Sequence, residues 1–172
     1  DISGSEFFET NKKLKRDVIT EIAATLSFSA MQNNDKVGVI LFTDQLELYI
    51  PPKKGKFHIL RIIRELLEFK ATSSKTSINV ALEFLLGVLK KKAIVFLLSD
   101  FIDNNYEKTL QIAIKKHDFT GIRIYDKIEA SFPNIGMVPI IDNESKKINW
   151  INTSLNSVRN NYKKNYEKLV SN

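Results

Sequence analysis

An α/β fold with a mostly parallel sheet between two layers of helices is what this sequence predicts, and two observations carry it. Val37–Phe42 and Ala93–Leu98 are apolar at nearly every position, rich in Val, Ile, Leu and Phe, and too short for helices. That is the pattern of strands buried on both faces. Around them lie segments of ten or more residues whose apolar positions recur three and four apart, the period of amphipathic helices. Alternation of the two implies parallel strands joined by helical crossovers, and in such sheets ligands bind beyond the carboxyl ends of the strands.

The elements follow in order. Leu14, Val18, Ile22, Leu26 and Ala30 recur at a spacing of four, with Ile19 and Ala23 widening the stripe, so Asn11 to Asn33 reads as a long helix that stops at Asn33-Asn34-Asp35. After the Val37–Phe42 strand, Thr43-Asp44-Gln45 turns the chain into a more exposed antiparallel strand. Leu46, Leu48 and Ile50 alternate there, and Pro51-Pro52 ends it. Phe57, Leu60, Ile63, Leu66 and Leu67 make a second helix. A polar loop from Ala71 to Lys75 leads to Thr76 and a third helix carrying Ile78, Ala81, Leu82, Leu85 and Leu89. The buried strand Ala93–Leu98 closes with Ser99-Asp100. A helix from Tyr106 to Lys116, a strand from Gly121 to Tyr125, apolar segments at Met137–Ile141 and Ile148–Ile151, and a polar helix from Ser154 to about Val170 complete the chain. Phe28, Phe42, Phe84 and Phe96 are expected in the core.

The 172 residues are 43% hydrophobic and 27% charged, which suits a single domain over residues 1–172 with one core. Zero cysteines exclude disulfides, thiolate nucleophiles and cysteine-based zinc sites, and His58 and His117 are too few for a histidine cage. Any metal here is held by oxygen. No run approaches the roughly 20 apolar residues that a bilayer span needs. The net charge of +6 is spread over Lys90-Lys91-Lys92, Lys115-Lys116 and Lys163-Lys164, the pattern of solvated helix ends; a basic nucleic-acid-binding module is the alternative if they gather on one face.

Three segments place carboxylates and hydroxyls at loops of the predicted sheet: Asp1-Ile2-Ser3-Gly4-Ser5, Thr76, and Ser99-Asp100. Mg²⁺ takes six oxygens in near-octahedral array and usually keeps some waters. Ser3, Ser5 and Thr76 suit direct ligation, with Asp1 and Asp100 direct or through water, leaving a position open for an outside carboxylate. Asp1, Ser3 and Ser5 alternate, so an extended turn points them the same way, and Gly4 allows a tight bend between them. Taken singly, each has a structural reading: serine and threonine cap helices, and an aspartate ends many strands.

The order of Asp-x-Ser-x-Ser, a threonine opening a helix, and an aspartate closing an apolar strand resembles the metal-ion-dependent adhesion site of von Willebrand factor A domains. Thr76-Ser77-Ile78-Asn79-Val80-Ala81-Leu82 looks like that family's threonine motif, and Ile94-Val95-Phe96-Leu97-Leu98-Ser99-Asp100 like its strand-plus-aspartate motif. Finer features are similar to the bacterial domain-of-unknown-function family 58. They are Asn34-Asp35-Lys36-Val37-Gly38 followed by Phe42, Tyr49-Ile50-Pro51-Pro52-Lys53-Lys54-Gly55, Ser99-Asp100-Phe101 where most A domains have Ser-Asp-Gly, and His117-Asp118.

The resemblance implies a three-layer, Rossmann-like fold and a metal site of Asp1, Ser3, Ser5, Thr76 and Asp100, with Gly4, Glu6 and Phe101 beside it facing a partner. Glu6 stands where that family commonly has methionine, and Asp1 opens the chain where the family's aspartate ends a central strand. The expectation is therefore a sheet lacking its first central strand, in the C-terminal part of a longer protein, with Asp1 mobile and its α-amino group adding positive charge. The implied cofactor is Mg²⁺, with Mn²⁺ or Ca²⁺ as substitutes. The implied role is not enzymatic: a metal-dependent protein-binding adaptor or co-chaperone, whose partner supplies a carboxylate, working with a MoxR-type AAA+ ATPase in the cytoplasm or at the inner face of the membrane.

A Mg²⁺-dependent phosphoryl-transfer enzyme is the rival from another class, but the usual Asp-x-Asp-x-Thr arrangement has an acid/base where this chain has Ser3. His117-Asp118 lacks the further histidines of a phosphohydrolase site, and Lys53-Lys54-Gly55-Lys56 lacks the phosphate-loop pattern. His58 is expected at the surface of the second helix. Tyr162, Tyr166, Leu169 and Val170 form a narrow apolar stripe amid lysines, which reads as a helix lying on the sheet, with a membrane-surface helix as the alternative.

Overall fold

The computed structural model describes residues 1–3, 9–125, 131–141 and 148–170. Within them the order is α1 (Glu9–Gln32), β1 (Val37–Phe42), β2 (Leu46–Lys53), α2 (Lys56–Glu68), α3 (Ile78–Val88), β3 (Ile94–Ser99), α4 (Glu107–Lys116), β4 (Asp118–Arg123), β5 (Met137–Ile141), β6 (Ile148–Asn152) and α5 (Asn156–Val170). The elements match the periodicities that predict them to within a few residues. Among the described residues no helix is long and apolar enough to cross a membrane.

Strand β1 organises the core because successive side chains on a strand point to opposite faces. Leu41 goes one way, into a cluster with Ile50, Ile62 and Leu66 against which Ile2 and Ala23 pack, beneath α1 and α2. Phe42 goes the other way and joins Ile78, Ala81, Leu82, Leu97 and Ala113, from α3, β3 and α4. Helices thus lie on both sides of β1, as predicted for a mixed α/β fold.

The sheet differs from the expected one. The described residues form three two-stranded sheets: β1–β2 antiparallel, β3–β4 parallel and β5–β6 antiparallel. Among the described residues, the head of the chain bridges β1 and β3: the Ile2 N–H donates to the Phe42 carbonyl at 3.0 Å, and the Asp1 nitrogen donates to the Leu98 carbonyl at 3.1 Å. Two bonds do not make a ladder. Separately, strand β3 is not buried on both faces. Leu97 and Ser99 are covered on the α3–α4 side, whereas Ile94 is 69% and Phe96 42% exposed on the other. Phe96 and Phe28 consequently leave the predicted core, while Phe42 is buried in it and the half-buried Phe84 meets Tyr49 edge-on at 5.1 Å.

Strand β2 runs through Pro51-Pro52 to Lys53 instead of stopping there. Prolines are tolerated because β2 pairs only with β1 and needs no donors on its free edge. A register shift between Val37 and Val39 sits opposite them, at Gly38. A Cβ on Gly38 would lie 2.8 Å from the Ile50 carbonyl oxygen and 2.9 Å from the Pro52 nitrogen, both backbone atoms.

The C-terminal elements form a small unit of their own. Thr153 closes the base of the β5–β6 ribbon, donating its hydroxyl to the Gly136 carbonyl at 2.8 Å and accepting the Ile135 N–H at 3.1 Å. Arg159 of α5 bonds the Thr153 carbonyl and Asn156, and the Phe132 and Tyr162 rings pack 4.0 Å apart. Among the described residues, Arg123 of β4 links this unit to β4: it donates to the Tyr166 hydroxyl at 3.0 Å and lies over the Tyr125 and Tyr166 rings. The last helix, expected on the sheet, meets β4 through this guanidinium.

The two histidines also have defined places. The ring of His58 is half-buried with Nε2 2.8 Å from the Val37 carbonyl, so it ties α2 to β1 and is not simply a surface group. His117, between α4 and β4, is 2% exposed and neither ring nitrogen has a hydrogen-bond partner.

Two outcomes are expected. Gly38→Ala pushes backbone against backbone and lowers stability by about 1–3 kcal/mol, seen as a lower urea midpoint at an unchanged m-value. Burial, and then the charge of Lys116, push the His117 imidazole below its ordinary value. The folded ring stays neutral where the unfolded one takes up a proton. Stability is therefore full above about pH 6.5 and falls as pH drops below it, with a slope of at most about 1.4 kcal/mol per pH unit. His117→Leu flattens the profile of urea midpoints between pH 7 and 5; an unchanged slope would show that the buried ring is not its source.

Candidate metal centre

The carboxyl ends of β1 and β3 and the loop before α3 bring the predicted residues together. Asp1 is half-buried between the strands and is not free to move: besides its bond to Leu98, its Oδ1 accepts the Ser3 N–H at 2.9 Å and the Ser3 hydroxyl, and its Oδ2 accepts the Ser99 hydroxyl at 2.6 Å. Thr76 donates its hydroxyl to Ser3 Oγ at 2.5 Å. Asp1 Oδ1, Ser3 Oγ and Thr76 Oγ1 thus form a continuous line of oxygens drawn from both ends of a long stretch of chain. Asp100 turns its carboxylate to accept the Ile102 N–H at 3.0 Å, an Asx turn at the strand end, and lies close to the Asp1 backbone nitrogen. Ser5, Gly4 and Glu6 lie outside the described residues.

Each placement has a local cause. Thr76 precedes the Ser77 cap of α3, and the Ser77 N–H donates to the Thr43 carbonyl at 2.9 Å, which fixes the loop to the β1–β2 turn. Farther back, Glu47 on β2 accepts the Thr72 N–H at 3.1 Å, the Thr72 hydroxyl at 2.6 Å and the Thr43 hydroxyl at 2.8 Å. Burial pushes the Glu47 carboxyl up, but these bonds outweigh it and hold the group below its ordinary value. After Asp100 the chain turns sharply: Phe101 adopts φ 60°, a left-handed conformation that costs a residue with a Cβ roughly 1–2 kcal/mol. The Phe101 ring, half-buried, packs on Gly121, where a Cβ would meet its Cζ at 2.8 Å.

Two contributors were not among the predicted ligands. Ser99 is buried, orients Asp1 through its hydroxyl and accepts the Phe101 N–H at 3.2 Å. A signal for it exists, since a small hydroxyl two residues after Leu97 shares that buried face. Asp103 accepts the Ile78 N–H at 2.7 Å and so satisfies the first turn of α3 from a distant loop. Local capping patterns give no warning of such a bond.

The oxygens gathered here suit a small hard cation. Among the described residues no three His, Cys, Asp or Glu side chains come together, and the candidate donors are the Asp1 and Asp100 carboxylates with the Ser3 and Thr76 hydroxyls. Neighbouring ligands of an octahedral Mg²⁺ sit roughly 2.9 Å apart, given metal–oxygen distances of roughly 2.0–2.1 Å. Ser3 Oγ and Thr76 Oγ1, at 2.5 Å, need spread only by a few tenths of an ångström.

Comparison with known proteins agrees with the sequence motifs. The chain is 22% identical over 148 residues to the uncharacterized protein Rv1480 of Mycobacterium tuberculosis (strain ATCC 25618 / H37Rv) and, to the same degree, to the uncharacterized protein Mb1516 of Mycobacterium bovis. The matched region covers 84% of this chain and 47% of each relative, so the chain spans about half the length of the curated relatives it matches. No solved structure matches it significantly. The profile of the family described as "Protein of unknown function DUF58" matches residues 1–170, and the chain belongs to that family.

Proposed function

We propose that this domain binds a divalent cation, Mg²⁺ by preference with Mn²⁺ or Ca²⁺ as substitutes, and uses it to hold a protein partner. The observation that carries the reading is the line of oxygens Asp1 Oδ1, Ser3 Oγ and Thr76 Oγ1, with Asp100 alongside. Asp1, Ser3 and Thr76 are the residues that hold the ion, Asp100 holds it directly or through water, and Ser5 extends the set. The ion supplies an electrophilic point to which a carboxylate of the partner binds. The protein's own groups keep the ligands in place: Ser99 orients Asp1, and Thr43 and Glu47 hold the Thr76 loop.

On this reading the fold is a von Willebrand factor A-like domain of three layers. The gap between β1 and β3, crossed among the described residues by the Ile2 and Asp1 bonds, is a strand position of its central sheet. By resemblance, the domain acts as an adaptor or co-chaperone with a MoxR-type AAA+ ATPase, in the cytoplasm or at the inner face of the membrane. We read it as a binding activity because the position two residues after Asp1, which carries the acid/base in the Asp-x-Asp-x-Thr arrangement of phosphoryl transfer, holds Ser3.

Titrating Mg²⁺ or Mn²⁺ into wild type and Asp100→Ala tests the assignment. Affinity falls at least about tenfold in the variant, and capture of partners from the source cell extract depends on the metal. Equal affinity in the two proteins rejects the site, and metal-independent capture rejects the mechanism. Ser99→Ala keeps every proposed ligand and removes only the group that orients Asp1. It weakens metal binding by about 10–100-fold, while circular dichroism and the urea midpoint report any separate loss of folding.

A further inference from the structure

The C-terminal unit carries a surface that the metal site does not use. Cross-strand pairing of Met137 with Asn152 and of Pro139 with Trp150 puts these residues on one face of the β5–β6 ribbon, with Ile148 two positions from Trp150 on the same face. That face is open: Trp150 is 64%, Ile148 59% and Met137 56% exposed. Beside it an open cleft of about 470 Å³ runs between the ribbon and α5, lined by Trp150, Phe132, Leu155, Val158 and Tyr162 among others. Exposed apolar side chains grouped in this way mark a contact surface.

Charge identifies the kind of surface it meets. Across residues 131–141 and 148–170 the cationic side chains are Arg159, Lys163, Lys164 and Lys168, and the acidic one is Glu167, itself 3.9 Å from Lys163. Arg159 is engaged in holding the unit together. The lysines stay on α5 outside the cleft lining. An apolar face carrying an exposed indole, beside a helix bearing lysines, matches an anionic bilayer, where apolar groups enter the acyl boundary, tryptophan sits at the headgroups and lysines meet lipid phosphates.

We propose that the β5–β6 ribbon and the adjoining face of α5 dock this domain on an anionic phospholipid bilayer, with Met137, Ile148 and Trp150 entering the interface and Lys163 and Lys164 meeting the headgroups. Attachment is peripheral and reversible. It uses a surface separate from the Asp1–Thr76 site and does not depend on the metal.

The chain contains a single tryptophan, so emission from Trp150 reports its surroundings directly. The full chain is titrated with vesicles of phosphatidylcholine containing one-third phosphatidylglycerol and with vesicles of phosphatidylcholine alone, without divalent metal. Blue-shifted emission and co-sedimentation with the anionic vesicles, weakened by salt, are expected. Ile148→Ser lowers vesicle affinity at least about tenfold, and Lys163→Gln with Lys164→Gln lowers it at least about fivefold, with far-ultraviolet circular dichroism unchanged. Absence of a shift with anionic vesicles overturns the proposal, as does sedimentation that Ile148→Ser leaves intact. A shift produced only by a partner protein assigns the surface to protein docking and equally overturns it.

Discussion

The carboxylate of Asp1 is the group on which the site and the middle of the fold depend together. One oxygen takes two donors from Ser3 and the other takes the Ser99 hydroxyl, while the adjacent backbone bonds Phe42 and Leu98. Charge-assisted bonds of this kind contribute roughly 1.5–3 kcal/mol each. A partly buried carboxylate needs such donors, because burial without them is costly. Their effect is also geometric. They join the carboxyl end of the β3–β4 pair to that of the β1–β2 pair, and Ser3 carries the link onward to Thr76.

That arrangement relies on packing that is well determined on one side. Leu41 and Phe42 anchor β1 into two clusters at once, so the strand end beside Asp1 is held from both faces. Strand β3 is held from the α3–α4 face alone, and the exposed Ile94 and Phe96 mark the other. At its end the chain accepts a left-handed phenylalanine, and the Phe101 ring finds compensation against Gly121. The C-terminal unit is joined to this body through Arg123, the register partner of Ser99, and so hangs from the same end of the sheet as the candidate site.

Much of this was legible in residue order. The four-residue spacing from Leu14 to Ala30 predicted α1, the apolar run at Val37 predicted β1, and Thr43-Asp44-Gln45 placed the turn of the β1–β2 hairpin. Asp1, Ser3, Thr76 and Asp100 stood out because hydroxyls and carboxylates ended or began apolar elements. Less visible were groups whose role is set by distant partners. Asp103 caps a helix that precedes it by a strand and two loops, Glu47 braces a loop through Thr72, and His58 reaches the Val37 carbonyl.

Periodicity and composition by themselves determined the helices, the strands and the absence of cysteine chemistry, because these follow from local spacing and from which side chains exist. Only the tertiary structure decided how the strands pair, which face of β3 is left open, that Ser99 orients Asp1, and that the last helix meets β4 through Arg123. Those outcomes depend on which apolar faces and backbone donors meet across long separations in the chain, and no local pattern specifies that.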